Sequence, residues 1–227
     1  MNEYVFPIPV WKTKITENDY NKKLILNQML DNFDIDPRRN TWDQVMPTIT
    51  KSNWHHSNND EERDGSVFKK ISYEESGLYK CMDDKIREFI STLDLQKDVN
   101  YMWQVTNYTV SDEGYFLTSH DHGTDSFSSV LYLQFDPQNH PPTAFSNPFG
   151  APHLTRWLQK DLYDSIDKSN PFFSYFHDTW TLNTEEDDYI IFPGHIKHEV
   201  PTVGKSDKKR VTISCNIRLY QDAQRNQ

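Results

Sequence analysis

Two histidines, His120 and His122, stand at i and i+2 in the stretch SHDHGTDSFSSVLYLQF, which runs from Ser119 to Phe135. In an extended chain alternate side chains share a face, so the two imidazoles would point the same way, about 6 to 7 Å apart, while Asp121 points the other way. Such a pair makes a poor core and a good start to a metal site, since neutral imidazole is the commonest protein ligand for divalent metals. A third histidine, His198, follows in PGHIKHEV, twelve residues before Arg210. By type, Asp121 and Asp125 could also serve as ligands. Asp121 faces away in an extended backbone, and Asp125 could join only if DHGTD turns back on itself.

The remaining histidines carry weaker signals. His55 and His56 are adjacent, so their side chains diverge, and they fall in the polar stretch SNWHHSNNDEERDG, which predicts a solvated loop. His195 is expected in a turn. Trp54, Trp103, Trp157 and Trp180 are expected to pack in the core or under a lid. Lys205, Lys208 and Lys209 belong to GKSDKKR, which predicts an exposed hairpin tip.

Positioning such residues needs a frame, and the pattern changes once along the chain. The first hundred residues hold two segments with helical spacing: Tyr20, Leu24, Leu30 and Phe33, then Leu78, Met82, Ile86, Phe89, Ile90 and Leu93. From Tyr101 onward the segments YMWQVTNYTV, FSSVLYLQF, DYIIFP and RVTISCNIRLY are β-branched or aromatic runs bounded by turn residues, which predicts strands. The stretch 141–175 is Pro-rich, then helical around LTRWLQKDLYDSI, and is expected as an insertion between strands. One domain over 1–227 is expected, with a helical support region to about residue 100 and a β core over 101–220.

The last of these strands separates two kinds of side chain. Val211, Ile213, Cys215, Ile217 and Leu219 alternate with Arg210, Thr212, Ser214, Asn216 and Arg218. The polar row reads either as a solvated face or as the lining of a ligand cavity whose other side packs on helices. His198 just upstream favours the cavity.

Bulk properties narrow the function. A chain of 227 residues, 35% hydrophobic and 14% aromatic, can build a core even though 26% of its residues are charged. A net charge of -10 argues against general nucleic-acid binding, which needs a basic surface to neutralise phosphates. Cys81 and Cys215 are the two cysteines, a count that suits reduced thiols better than a disulfide scaffold. No apolar run approaches the roughly 18 residues of a membrane span, and MNEYVFPIPVW does not read as a signal peptide. A cytoplasmic location is expected, the host cytoplasm for a phage-encoded chain.

From about Asn107 to Asn216 the chain resembles the iron(II)- and 2-oxoglutarate-dependent dioxygenases. HDH with FSSVLYL is similar to that superfamily's proximal motif and following strand, FPGHIKHEV to its distal histidine turn, and KKRVTISCN to the strand bearing its carboxylate-binding arginine. VFPIPVW and the pair Asn147–Pro148 resemble a bacterial and phage branch in which His-x-His replaces the commoner His-x-acid. The resemblance implies a mainly β fold with flanking helices, a double-stranded β-helix or jelly-roll. It implies Fe(II) held by His120, His122 and His198, with Arg210, Ser128 and Tyr132 binding 2-oxoglutarate. The implied reaction uses dioxygen, yields succinate and carbon dioxide, and hydroxylates or otherwise oxidises a separate substrate.

The departure at position 122 removes one negative charge from the implied ligand set, though three neutral imidazoles can hold a divalent metal. Two other readings stand beside the oxygenase. A cupin-like enzyme without 2-oxoglutarate also uses His-x-His and a later His, but usually adds a glutamate soon after the pair, and the next acids here are Asp125 and Asp136. A non-catalytic phage or bacterial structural module would keep the barrel with a relict metal site. Substrate selection is expected in the loops SNWHHSNNDEERDG and PPTAFSNPFGAPH, so protein side chains, nucleobases, lipids and small metabolites all stay open.

Overall fold

The structure, a computed structural model, describes residues 8–37, 50–51, 54–57, 67–95, 99–149, 164–167 and 173–221. Both expected helices form, as α1 (Lys22–Ile35) and α2 (Leu78–Ser91). Asn21 caps α1 by accepting from the Leu24 amide at 3.2 Å, which satisfies one of the donors a helix start leaves unpaired. The buried stripe of α1 is Lys22, Ile25, Met29, Asn32 and Phe33, shifted from the expected Leu24 and Leu30, which are half-buried. Two polar residues take part because each is fully engaged. Lys22 pairs with Glu186 at 2.7 Å and Asp187 at 2.6 Å, and the Asn32 amide donates to the Lys69 carbonyl and the Tyr108 hydroxyl, both at 2.8 Å. On α2 the buried set Leu78, Met82, Ile86 and Phe89 matches the sequence spacing.

Among the described residues eleven strands follow in chain order as β1 (Trp11–Lys14), β2 (Thr50–Lys51), β3 (Trp54–Ser57), β4 (Asn100–Ser111), β5 (Phe116–His120), β6 (Phe127–Gln134), β7 (Ala144–Ser146), β8 (Thr179–Thr181), β9 (Asp188–Pro193), β10 (His198–Val200) and β11 (Arg210–Tyr220). They form a six-stranded sheet in the order β1-β9-β6-β11-β4-β3 and a five-stranded sheet in the order β2-β5-β10-β7-β8. Strands β4 to β11 pair in a nested way: β7 with β8, β6 with β9, β5 with β10 and β4 with β11, all antiparallel. That nesting is one long two-stranded ribbon with its tip between β7 and β8. Because successive pairs alternate between the sheets, the ribbon is wound into a helix of strands. This is the double-stranded β-helix, and its two sheets face one another across a shared interior.

The four strands expected from sequence are β4, β6, β9 and β11. One expectation is corrected. Trp54–Ser57, placed in a solvated loop by its polar neighbours, is strand β3 and pairs with β4 from Trp54 opposite Val110 to Ser57 opposite Asn107. A four-residue edge strand is specified by the partner it pairs with more than by its own composition. The rest of that loop, and most of the helix expected at LTRWLQKDLYDSI, lie outside the described residues. Within the stretch 141–175, β7 pairs with both β10 and β8 in the second sheet.

The helices cover the outer face of the larger sheet. Ile25, Met29, Met82, Ile86 and Phe89 share one core with Leu131, Leu133, Ile191, Val211, Ile213, Cys215 and Ile217. Each side chain of that size contributes roughly 1.5 to 3 kcal/mol by leaving water. The apolar row of β11 therefore faces the helices. Its polar row must face the interior between the sheets, which is where the site lies.

Candidate metal and cosubstrate site

His120 is the last residue of β5 and His198 the first of β10, and the two sit directly opposite one another in the antiparallel pair. Their rings are 4.3 Å apart between centroids. His122 reaches them differently. It has already left β5 and sits in the turn that follows, so strand alternation is not what aligns it with His120. Its ring lies 5.5 Å from that of His120 and stacks on His198 at 5.1 Å and 6°.

The turn that carries His122 is pinned from several sides. The His122 amide donates to the Gly194 carbonyl at 2.8 Å, the Asp125 amide to the His122 carbonyl at 3.2 Å, and the Gly194 amide to the Ser126 carbonyl at 3.1 Å. Gly123 adopts φ +56°, a region that costs side-chain-bearing residues strain. Gly194 packs so close that a Cβ there would collide with the Asp125 carbonyl oxygen. DHGTD does turn back, as the sequence allowed, but the Asp125 carboxylate is engaged elsewhere. It accepts from the Asn216 amide at 2.5 Å and pairs with Arg218 at 3.2 Å.

The nitrogens of the three histidines converge, with one ring nitrogen from each lying within 4.8 Å of the others. The outer nitrogens are spoken for. His120 Nδ1 meets the Thr118 carbonyl at 3.0 Å and His198 Nδ1 the Ile196 carbonyl at 2.9 Å, while His122 and His198 turn Nε2 toward each other at 3.3 Å. A carbonyl can only accept, so each of those Nδ1 atoms carries the proton and leaves the Nε2 lone pair aimed inward. Second partners of this kind hold ligating histidines in place. The chain's own donors thus fit a divalent metal in number and type, and His120 and His198 also in tautomer.

Burial keeps these rings neutral. Desolvation against Phe192 and Phe145 is the largest influence on His198, whose pKa is lowered to about 3, and His122 is lowered to about 4 with desolvation first and His120 second. His120 is also lowered, again mainly by burial. The unfolded chain, with histidine pKa near 6.5, therefore binds more protons than the folded one at mildly acid pH. Stability of the metal-free protein is expected to fall as pH drops from about 6.5 toward 4 and 3. Thermal midpoints at about pH 7 and about pH 5.5 test this, since few carboxylates titrate in that window. Equal midpoints would contradict the neutral buried set.

A cavity between the sheets joins this group to Arg210. Its lining includes His120, His122 and His198, the inward row Arg210, Thr212 and Ser214 of β11, and Ser128 of β6. Arg210 is 1% exposed. Its Nε donates to the Pro141 carbonyl at 3.1 Å and its guanidinium lies 5.5 Å from the centre of the Tyr132 ring. Burial pushes its pKa down, with Tyr132 and Tyr115 opposing, but a guanidinium keeps its charge in proteins. Among the described residues no carboxylate pairs with it, and a buried unpaired charge is costly.

Ser128 donates to the Cys215 carbonyl at 3.2 Å and to Asn216 Oδ1 at 3.4 Å. The Tyr132 hydroxyl donates to Thr143 Oγ1 at 2.8 Å and accepts from the Thr143 amide at 2.9 Å, so Tyr132 supports the cavity wall with its ring under the guanidinium. Tyr115 and Thr143 are among the lining residues that carried no sequence signal. Tyr115, in the β4–β5 corner, is fully buried with its pKa pushed up to about 12 by burial, which keeps it a neutral phenol, and Thr143 lies in the Pro-rich stretch. The weaker candidates stayed outside: His195 is exposed in its turn, Trp103 stacks on Tyr79 at 4.2 Å, and Trp180 packs on Phe173 and His177.

Fold and site together define a metal-dependent enzyme scaffold, and comparison with known proteins says which. Residues 102–216, just over half of the 227-residue chain, match the family model described as "Putative 2OG-Fe(II) oxygenase", and the chain belongs to this 2OG-Fe(II) oxygenase family. Fe(II), 2-oxoglutarate and dioxygen come with that membership. The fold is similar to a viral collagen prolyl hydroxylase from Paramecium bursaria Chlorella virus-1, solved with 2OG, at a TM-score of 0.51 and 11% identity, covering 92% of this chain and 94% of that one. It is also similar to a prolyl hydroxylase from Trichoplax adhaerens in complex with a hypoxia inducible factor peptide, at 0.51 and 12%, covering 93% and 83%. At such identities the likeness carries the fold alone. No curated protein matches the chain.

Proposed function

We propose that this protein is an Fe(II)- and 2-oxoglutarate-dependent hydroxylase in which His120, His122 and His198 hold the metal and Arg210 holds the far carboxylate of 2-oxoglutarate. One observation carries the reading: a single cavity is lined both by three converging neutral imidazoles and by a fully buried arginine with no carboxylate partner among the described residues. When bound, Fe(II) supplies the redox chemistry that couples oxidation of 2-oxoglutarate by dioxygen, to succinate and carbon dioxide, to oxidation of a substrate C–H bond.

The chain's own groups do the positioning. The Nδ1–H contacts to Thr118 and Ile196 lock His120 and His198 with their Nε2 lone pairs inward. The guanidinium of Arg210 is held by Pro141 and backed by Tyr132, leaving its fork to meet a dicarboxylate in the bidentate geometry an ammonium lacks. Tyr115 adds a neutral phenol to the same wall, and the Ser128 hydroxyl lines it. Phe145 and Phe192 exclude water from the side of His198. Both cysteines are free, and no helix among the described residues is long and apolar enough to cross a membrane; a cytoplasmic enzyme is the setting that accords with this.

Anaerobic titration of the purified protein tests the reading. A visible charge-transfer band is expected only when Fe(II) and 2-oxoglutarate are both present. Metal binding without such a band would sink the cosubstrate assignment and move the chain toward a cupin-like reaction.

A further inference from the structure

Nε of Arg210 donates to the Pro141 carbonyl, so the aim of the guanidinium depends on where that carbonyl stands. The residue before Pro141 is His140, which is 2% exposed and does not line the cavity. Its Nδ1 accepts from the Asp136 amide at 2.9 Å, and its Nε2 meets the Lys208 carbonyl at 3.1 Å. An amide N–H can only donate and a carbonyl can only accept, so the tautomer is fixed: Nε2 carries the proton and Nδ1 the lone pair. The ring thus spans from the β6–β7 connection to the approach to β11, two residues before Arg210.

Other contacts fasten the same two segments. The Gly204 amide donates to the Asn139 carbonyl at 3.0 Å, the Ser206 hydroxyl to Asp136 Oδ2 at 2.8 Å, and the Gln134 side chain to the Lys209 carbonyl at 2.9 Å. The imidazole reaches both anchors of the arginine at once, since its own peptide leads into Pro141 and Lys208 leads into the strand that carries Arg210. Burial pushes the pKa of His140 down more than any other influence acts on it, so at neutral pH the ring keeps the single proton this arrangement requires. Resting on the reading of Arg210 above, we infer that His140 is a positioning residue for the cosubstrate: a neutral, two-ended brace that holds the start of β11 against the Pro141 carbonyl and so fixes the direction in which the guanidinium is offered. An arginine already immobilised in this way loses less freedom when it pairs with a carboxylate.

The test is 2-oxoglutarate affinity of the Fe(II)-loaded protein without oxygen, read by calorimetry, with metal content measured alongside. His140→Asn keeps an acceptor near the place of Nδ1 and loses the donor that reaches Lys208. It is expected to weaken 2-oxoglutarate about tenfold, the scale of coupling within one hydrogen-bonded network, and to leave metal content unchanged. His140→Gln keeps a donor near the place of Nε2 and should recover part of that loss; each variant retains one of the two contacts, which protects the fold. In an Arg210→Ala background His140→Asn should cause no further loss, whereas a general loosening of the barrel would weaken binding there as well. Unchanged affinity in His140→Asn, an equal loss in the Arg210→Ala background, or loss of metal together with cosubstrate would overturn the positioning role while leaving the assignment of Arg210 intact. A wild type that binds no 2-oxoglutarate, or an Arg210→Ala variant that binds it as wild type does, would overturn both.

Discussion

Arg210→Ala is expected to raise the dissociation constant for 2-oxoglutarate by about 30-fold or more while leaving the metal in place. The guanidinium is 1% exposed, and no carboxylate among the described residues balances it. A dicarboxylate entering the cavity would gain a charge-assisted bidentate contact there, and removing one partner of such a pair costs roughly 2 to 5 kcal/mol. The lower end of that range is the 30-fold effect, since each 1.4 kcal/mol is about a factor of ten. Arg210→Lys should recover only part of the loss, because an ammonium does not reproduce the planar fork. Calorimetry on metal-loaded protein decides it. Wild-type affinity in the alanine variant would mean that the distal carboxylate is bound elsewhere, and neither a cupin-like enzyme nor a relict structural barrel would need Arg210 at all.

His198→Ala is expected to lose the metal at near-neutral pH. His198 faces His120 across the β5–β10 pair, stacks on His122 and is 4% exposed, so it supplies one of the three converging nitrogens from the interior. His55→Ala should keep full metal content, since His55 is not one of the three proposed ligands. Elemental analysis after dialysis reads both, alongside far-UV circular dichroism to show that the variants fold. Equal losses in the two would point to general destabilisation and remove the assignment of His198.

Much of the architecture was legible in the sequence because it is written in local periods. The apolar spacing of Leu78, Met82, Ile86 and Phe89 is that of one helix face, and those residues are the buried ones. The alternation in β11 assigned one row to the helices and the other to a cavity once His198 was taken into account; Val211, Ile213, Cys215 and Ile217 are found in the core with the helices and Arg210, Thr212 and Ser214 in the cavity, while Arg218 at the far end is exposed. Where the local pattern was weak the reading failed. The polar neighbours of Trp54–Ser57 hid a strand whose evidence is the β4 edge it pairs with, more than fifty residues on. The stripe of α1 was misplaced because Lys22 and Asn32 are buried by partners on remote segments.

The site divides along the same line. By itself the sequence determined which residue types were available: a His-x-His pair, a distal histidine, and an arginine on an amphipathic strand. Tertiary structure alone decided how they meet. His120 and His198 face each other because antiparallel pairing sets β5 against β10, a register that depends on the whole wound ribbon. His122 joins them from a turn, held by Gly194 from the approach to β10, so it stands beside them through a geometry other than the strand alternation read from the sequence. Side-chain period is a property of a few consecutive residues and can be read from them. Register, close backbone approach and the burial of a lone charge are set by segments tens of residues apart, and they exist only once the two sheets have closed over the cavity.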